Sequence, residues 1–344
     1  MNKKIYSFKN DYSEGAHLNI LKKLSESNFY QQEGYGEDNY SLEAKKKIQE
    51  QLGNTKCDIH FVSGGTQANL IIISSFLRPH ESVISAATGH INVHEAGAIE
   101  ATGHKVCTIN TPDGKLTPEL IEKVLDIHED EHMVKPAMVY ISNSTELGTY
   151  YTKNDLEEIS LFCKKENLLL FLDGARLGAA LDASGVSLED ISKLVDIFYI
   201  GGTKNGALLG EAIVISNDSL KEEFRFLMKQ KGALLAKGRL LGIQFYELFS
   251  NNLFYELAYQ ANSMAKLLSK GIKDLGYGFL AKPQTNLIFP IFPNNIIEKL
   301  NDKYDFYVIE KIDKSNSAVR LVTSWATEKE TIEAFIANLN ELTS

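Results

Sequence analysis

At 344 residues the chain is long enough for two domains, or for one large domain with an appendage, since domains run to about 150 residues. Its 44% hydrophobic, 10% aromatic and 24% charged residues are those of a globular chain and exclude disordered, collagen-like and disulfide-scaffold classes. With 36 basic residues against 45 acidic ones the formal charge is −9, which argues against a dedicated nucleic-acid binder, whose affinity comes from neutralising phosphates.

From about residue 56 short apolar runs alternate with longer amphipathic ones, the pattern of βα units on a mostly parallel sheet. Strands are expected at 58–63, 82–85, 104–109, 137–142, 168–173, 196–200 and 211–216, with helices such as 117–130 and 153–167 between them. In the first of these helices Leu120, Val124 and Ile127 recur at helical spacing, and Pro118 suits a first turn capped by Thr117. The expected architecture is a three-layer α/β domain on a mostly parallel seven-stranded sheet. Beyond about residue 217, helical runs at 219–231 and 238–276 carry the chain out of the sheet. A smaller α+β segment comes next, with strands at 286–292, 306–312 and 317–325 and a closing helix from about Glu328. Residues 46–255 are therefore expected to form the large domain and 256–344 the small one, with 1–45 serving the site and the small domain.

Cys57, Cys107 and Cys163 are odd in number, far apart and free of any CxxC pair, so neither a disulfide framework nor a structural zinc is suggested. The opening stretch MNKKIYSFKNDYSEG has no apolar run after its lysines, and no segment approaches the ~18 apolar residues of a membrane span. A cytoplasmic protein with neither membrane nor nucleic-acid partners is expected.

Three stretches carry chemistry. In FVSGGTQANL (61–70) Gly64 and Gly65 let backbone N–H groups approach a phosphate, Thr66 adds a hydroxyl, and the helix start supplies partial positive charge. A plain strand-to-helix turn reads the same way, and the GxGxxG and GxxxxGK[ST] spacings of nucleotide sites are absent. In LLLFLDGARLG (168–178) Asp173 stands at a strand's carboxyl end, where open α/β sheets bind ligands; a helix cap is the other use for an Asp there. In YIGGTKNGALLGEAIV (199–214) Lys204 is ringed by Gly201, Gly202, Gly206 and Gly210. A lysine hemmed in by small residues and partly desolvated can lose its proton and form an imine, whereas most loop lysines are simply solvated.

A phosphate cradle, an acid and an imine-competent lysine at strand ends are the parts of a pyridoxal phosphate site. With FKNDYSEGAH (8–17), GYGED (34–38), GHINVHEAG (89–97) and VRLVTSW (319–325) added in order, the chain resembles the threonine aldolase and β-eliminating lyase group of fold-type I pyridoxal-phosphate enzymes over nearly its whole length. The resemblance implies that Lys204 holds pyridoxal 5'-phosphate covalently, Asp173 accepts from its pyridine nitrogen, and Gly64, Gly65 and Thr66 bind its phosphate. His90 would stack on the ring, and Arg176 would lie near the phenolic oxygen and the substrate. Arg320, helped by Asn10, would clamp the substrate carboxylate. Tyr35 would reach a neighbouring subunit's site, so a homodimer or homotetramer with shared sites is implied. Without the resemblance Arg320 reads as a strand-end ion pair, and His90 and His94, four apart with Glu95, as the start of a metal site that lacks HExxH and a third ligand singled out by the sequence.

The implied reaction is cleavage of a β-hydroxy-α-amino acid, L-threonine or L-allo-threonine, to glycine and an aldehyde. The other readings are a β-eliminating lyase, a phenylserine-type aldolase, or a silent cofactor-binding protein; the missing dinucleotide fingerprint argues against a nucleotide-binding oxidoreductase. Departures from the family pattern are Glu146 in ISNSTELGT (141–149), where many members have histidine, and Asn10, where they often have serine. A basic residue that members direct toward a neighbour's phosphate is only loosely matched by Lys231, Lys237 or Arg239.

Overall fold

The computed structural model describes residues 6–343. In chain order, β1 (Tyr6–Ser7), α1 (Leu18–Glu26) and α2 (Asn39–Gln51) lead into β2 (Asp58–Val62), α3 (Gly65–Phe76), β3 (Glu81–Ala86), α4 (His90–Val93), β4 (Val106–Ile109) and α5 (Pro118–Ile127). Then come β5 (Lys135–Ser142), α6 (Lys153–Lys165), β6 (Leu169–Asp173), α7 (Leu177–Ser184), α8 (Leu188–Leu194), β7 (Ile197–Gly201) and β8 (Glu211–Ile215). After α9 (Phe224–Gln230), α10 (Arg239–Leu248) and α11 (Leu253–Asp274), the chain makes β9 (Leu287–Ile288), β10 (Ile291–Pro293), α12 (Asn294–Leu300), β11 (Tyr304–Asp305), β12 (Tyr307–Lys311), β13 (Asn316–Val322) and α13 (Lys329–Thr343).

The large sheet runs β2-β8-β7-β6-β5-β3-β4. Every neighbouring pair is parallel except those of β8, which runs against both β2 and β7. Its strands read as near-continuous apolar runs because both faces are covered, as parallel sheets require. Along β6, for example, Leu170 and Leu172 face one core while Phe171 faces the other. Helices on the two faces make the three layers. The parallel strands end at one edge of the sheet, and the reversed β8 begins there, so the loops after β2, β3, β5, β6 and β7 and the first residue of β8 converge.

Helix ends follow local chemistry. Thr152 caps α6 through the N–H of Asp155, whose carboxylate reaches back to the Thr152 N–H. Pro118 occupies the first turn of α5. The run 238–276 is not one helix: Asn251 and Asn252 take left-handed conformations (φ 53° and 62°) and split it into α10 and α11. Of 219–231 only α9 is α-helical, since Glu223 (φ 61°) interrupts the run, and α12 lies in a stretch for which the sequence suggested no element. A second core of Leu268, Ile297, Val319, Leu321 and Phe335 fills the C-terminal α+β part, and Phe8 is buried within it. The N-terminal segment is tied there by β1 pairing with β11 and by the Val322 N–H donating to the Phe8 carbonyl at 2.9 Å. Among the described residues no helix is long and apolar enough to cross a membrane.

Candidate active site

The converging strand ends surround a cavity of about 290 Å³ whose wall includes Gly64, Gly65, Thr66, His90, Asp173, Arg176 and Lys204. After β2 the backbone is extended at Gly64, and α3 begins at Gly65 with no side chain capping it, so its first N–H groups are free for an anion. A Cβ on Gly64 would meet nothing within 4 Å, whereas one on Gly65 would stand 3.0 Å from the Tyr199 hydroxyl.

Asp173 ends β6 and is 4% exposed. Its Oδ1 accepts from the Ala175 N–H at 3.0 Å, and its Oδ2 from the Tyr140 hydroxyl at 2.6 Å and the Asn69 amide at 3.2 Å. The same amide nitrogen donates to Glu95 Oε1 at 2.6 Å, and that oxygen stands 2.7 Å from His90 Nδ1. Because a carboxylate only accepts, the His90 proton is assigned to Nδ1, which turns the other ring nitrogen outward. Asp173, Asn69, Glu95 and His90 thus form one connected chain beneath the cavity. The chain needs Gly174: a Cβ there would lie 1.8 Å from the Tyr199 carbonyl oxygen.

Lys204 lies in the turn between β7 and β8, half-buried, with Gly206 (φ 91°) and Gly210 (φ 118°) in left-handed backbone positions. Burial is the largest influence on its amine and holds it below the ordinary lysine value. Arg176 pushes the same way, while Asp11, Asp173 and Glu211 oppose. Across the cavity Glu146 Oε1 accepts from the His90 N–H at 2.9 Å and from the Ser142 hydroxyl at 2.7 Å. Burial raises its carboxyl above the ordinary glutamate value.

Residues 23–293 match the model of the beta-eliminating lyase family. A low specificity L-threonine aldolase of Pseudomonas sp. (strain NCIMB 10558) is 31% identical over 98% of each chain. The chain belongs to the beta-eliminating lyase family. The threonine aldolase of Leishmania major superposes with a TM-score of 0.97 at 49% identity, over 98% of this chain and all of that one. An aspartate aminotransferase variant of Thermus thermophilus, 14% identical with a TM-score of 0.72 over 99% of this chain and 92% of that one, shares the fold alone. The large domain accordingly has the fold-type I architecture.

Within this lyase-family cavity, Arg176 is gripped by Asp11: its Nε and Nη2 donate to the two carboxylate oxygens at 2.7 and 3.0 Å. Asp11 also accepts from the Asn286 amide at 2.9 Å. Burial favours the protonated acid, but Arg176, Lys204 and these hydrogen bonds outweigh it and hold the carboxyl below its ordinary value. Asn10, one residue earlier, turns its oxygen onto the Tyr12 N–H and the Ser13 hydroxyl of its own turn, and it is Tyr12 that lines the cavity. Arg320, on β13, is half-buried and does not line the cavity; its Nη2 donates to the Lys9 carbonyl at 3.1 Å and its guanidinium lies 5.2 Å from the Tyr307 ring centroid.

Tyr35 does not line this cavity; it is 46% exposed with φ 58°, beneath the Lys229 amine. Lys237 and Arg239 line a separate cavity of about 810 Å³ together with Phe29 and Tyr30. The His94 ring is tilted by 54° against that of His90, with centroids 5.5 Å apart, and among the described residues no group of three or more His, Cys, Asp or Glu is placed to hold a metal. The sequence did not single out Asp11, Asn69, Tyr140 or Glu211, and it set Glu95 beside His90 and His94 only as the start of a metal site. The available signal for Glu211 was its place at the first residue of a strand directly after the glycine-ringed lysine.

Proposed function

We propose that the protein binds pyridoxal 5'-phosphate in this cavity and cleaves a β-hydroxy-α-amino acid, L-threonine or L-allo-threonine, to glycine and acetaldehyde. The observation that carries this reading is end-to-end relatedness to low specificity L-threonine aldolases in a chain whose lysine, buried carboxylate and uncapped helix start share one cavity. The donor set fits the cofactor. The free N–H groups and Thr66 suit a phosphate, the acceptor-only Asp173 suits a protonated ring nitrogen, and Lys204 faces the same space with a proton that leaves easily. The Ser144 hydroxyl on the cavity wall is buried without a protein partner, as a group awaiting a ligand would be.

When bound, the cofactor supplies an electron sink for the electrons of a breaking carbon–carbon bond. The chain's own residues do the rest. Lys204 anchors the cofactor and exchanges protons at its amine. Asp173, fixed by Tyr140, Asn69 and the Ala175 N–H, would offer its carboxylate to the ring nitrogen. His90, oriented by Glu95, would hold the ring by stacking. Arg320 receives the substrate carboxylate, with Asn10 assisting from the N-terminal segment, and Arg176 would lie near the cofactor's phenolic oxygen and the substrate. Glu146, whose carboxyl burial makes more basic, takes the β-hydroxyl proton.

We read residues 46–255 as the cofactor domain and 256–344 as the small domain, with 1–45 serving both. The assembly is a homodimer or homotetramer in the cytoplasm in which Tyr35 reaches a neighbour's site; the exposure of Phe29 (94%) and Tyr30 (62%) near that segment supports it. The test is product analysis: purified protein supplied with pyridoxal 5'-phosphate should release acetaldehyde and glycine from L-threonine or L-allo-threonine. Pyruvate or ammonia in their place, or no product from either, would overturn the reading.

A further inference from the structure

Glu211 is a buried carboxylate to which the reaction outlined above gives no task. It opens β8 at the one place where that reversed strand touches both neighbours at the cavity edge, in register with Gly201 of β7 and Val62 of β2. It therefore sits between the turn that carries Lys204 and the turn that carries Gly64. It is 4% exposed and lines the cavity with Lys204. One oxygen accepts from the Gly202 N–H at 3.0 Å and the other from the Thr203 hydroxyl at 2.9 Å, and Thr203 Oγ1 accepts in turn from the Gly210 N–H at 3.0 Å. Both oxygens are thus spent on the two residues directly before Lys204. A serine or glutamine could tie that turn without placing a charge in the sheet.

We propose that Glu211 is the positioning residue of Lys204: it fixes the turn that presents the lysine and, together with Asp11 and Asp173, sets the pH at which the amine releases its proton. The inference rests on the assignment of Lys204 as the cofactor's anchor. The charged and titratable groups that act on the Lys204 amine include Arg176 ahead of α7, Asp11 from the N-terminal segment, Asp173 at the end of β6, Glu211, and His94 just after α4. Those facing Glu211 are Lys204 and Asp173, with the Tyr199 hydroxyl of β7 close by. Burial pushes the Glu211 carboxyl up to about 8, against which Lys204 works, and it pushes the Lys204 amine down, against which Glu211 works with Asp11 and Asp173. A carboxylate lining the same cavity as the amine favours its charged form. Without it, burial and Arg176 would strip the proton at lower pH, and the lysine would no longer be poised to act as both acid and base.

The experiment is competitive acetylation of the full chain freed of cofactor, with the Lys204 peptide quantified by mass spectrometry as a function of pH. In Glu211→Gln, which keeps one acceptor for Gly202 and an amide donor for Thr203, the Lys204 midpoint should fall by about one pH unit or more, as loss of a neighbouring opposite charge requires. Glu211→Asp should return it toward the unsubstituted value. Thr203→Val, which spares the carboxylate but removes a donor to its charged form, should move the midpoint the same way by less, and carries the test if Glu211→Gln does not fold. The absorbance of the cofactor-loaded Glu211→Gln chain should titrate at lower pH as well. A purely structural role would alter yield or melting temperature and leave the midpoint in place, and an unmoved midpoint overturns the proposal. Borohydride reduction of the loaded chain, with the pyridoxyl group mapped, tests the anchor itself. If the group is found elsewhere, the anchor assignment fails while the acetylation midpoint still reports the pairing.

Discussion

Asp11 holds Arg176 through both carboxylate oxygens although 165 residues separate them, so the N-terminal segment around Asp11 is part of the site. The aspartate is 1% exposed and the arginine side chain 16%.

Asp11→Ala should therefore destabilise the protein by about 3–5 kcal/mol, because it leaves a buried guanidinium without its partner. The pH dependence comes from the lowered carboxyl. A folded-state value below the unfolded one adds stability that is complete above the unfolded pKa of about 3.9 and is lost as pH falls through the folded value. Urea midpoints at pH 7 and pH 3 should accordingly converge between wild type and Asp11→Asn at the acid end. A constant gap would show that the charge is not what Asp11 contributes.

Asp173→Asn keeps the shape of the carboxyl and removes its charge. Turnover should fall by a factor on the order of 10²–10³ with the fold intact, the loss typical of a deleted electrostatic stabiliser. Lys204→Ala should take up cofactor without covalent attachment, read as loss of borohydride-fixed label, and should have no measurable turnover. Full activity in either variant would remove that residue from its role.

The large sheet and the strand-end residues could be read from the sequence because both depend on short-range signals. A strand buried on two faces is a run of apolar residues, and the parallel order then places the residues just after that run at the ligand edge. Gly64, Asp173 and Lys204 all stand at or just past the ends of such runs. The residues that hold them could not be read this way. Asn69 meets Asp173 104 positions away, and Glu95 reads from the sequence as part of a metal site with His90 and His94 until the fold sets its oxygen on His90 Nδ1. The break at Asn251 and Asn252 was hidden for another reason: both flanking stretches have helical periodicity, and left-handed asparagines are not distinguishable from helical ones by pattern.

Gly174, just after Asp173, and Gly64, on the cavity wall, should respond oppositely to alanine. At Gly174 a Cβ would lie 1.8 Å from a backbone oxygen, so the strand ends must separate, costing about 1–3 kcal/mol or more. At Gly64 the backbone is extended and a Cβ meets nothing within 4 Å, so stability should change by less than about 0.5 kcal/mol. The added methyl of Gly64→Ala would instead occupy space beside the free N–H groups and raise the dissociation constant for pyridoxal 5'-phosphate. Thermal melts of the cofactor-free variants, set beside cofactor titrations, separate the two effects. Equal destabilisation of both variants would contradict the packing described.

Glu146 supplies the last test. Burial raises its carboxyl, so in the native protein the group turns from acceptor to acid at a higher pH than an exposed glutamate does. If it takes the β-hydroxyl proton, kcat should fall on the acid side as Glu146 is protonated, and Glu146→Gln should lose both that limb and about 10²–10⁴-fold in kcat. The glutamine retains an acceptor for the His90 N–H and the Ser142 hydroxyl, so cofactor affinity should hold and separate a chemical defect from a structural one. An acid limb that survives in Glu146→Gln would assign it to another group, His94 being the nearest candidate beside His90.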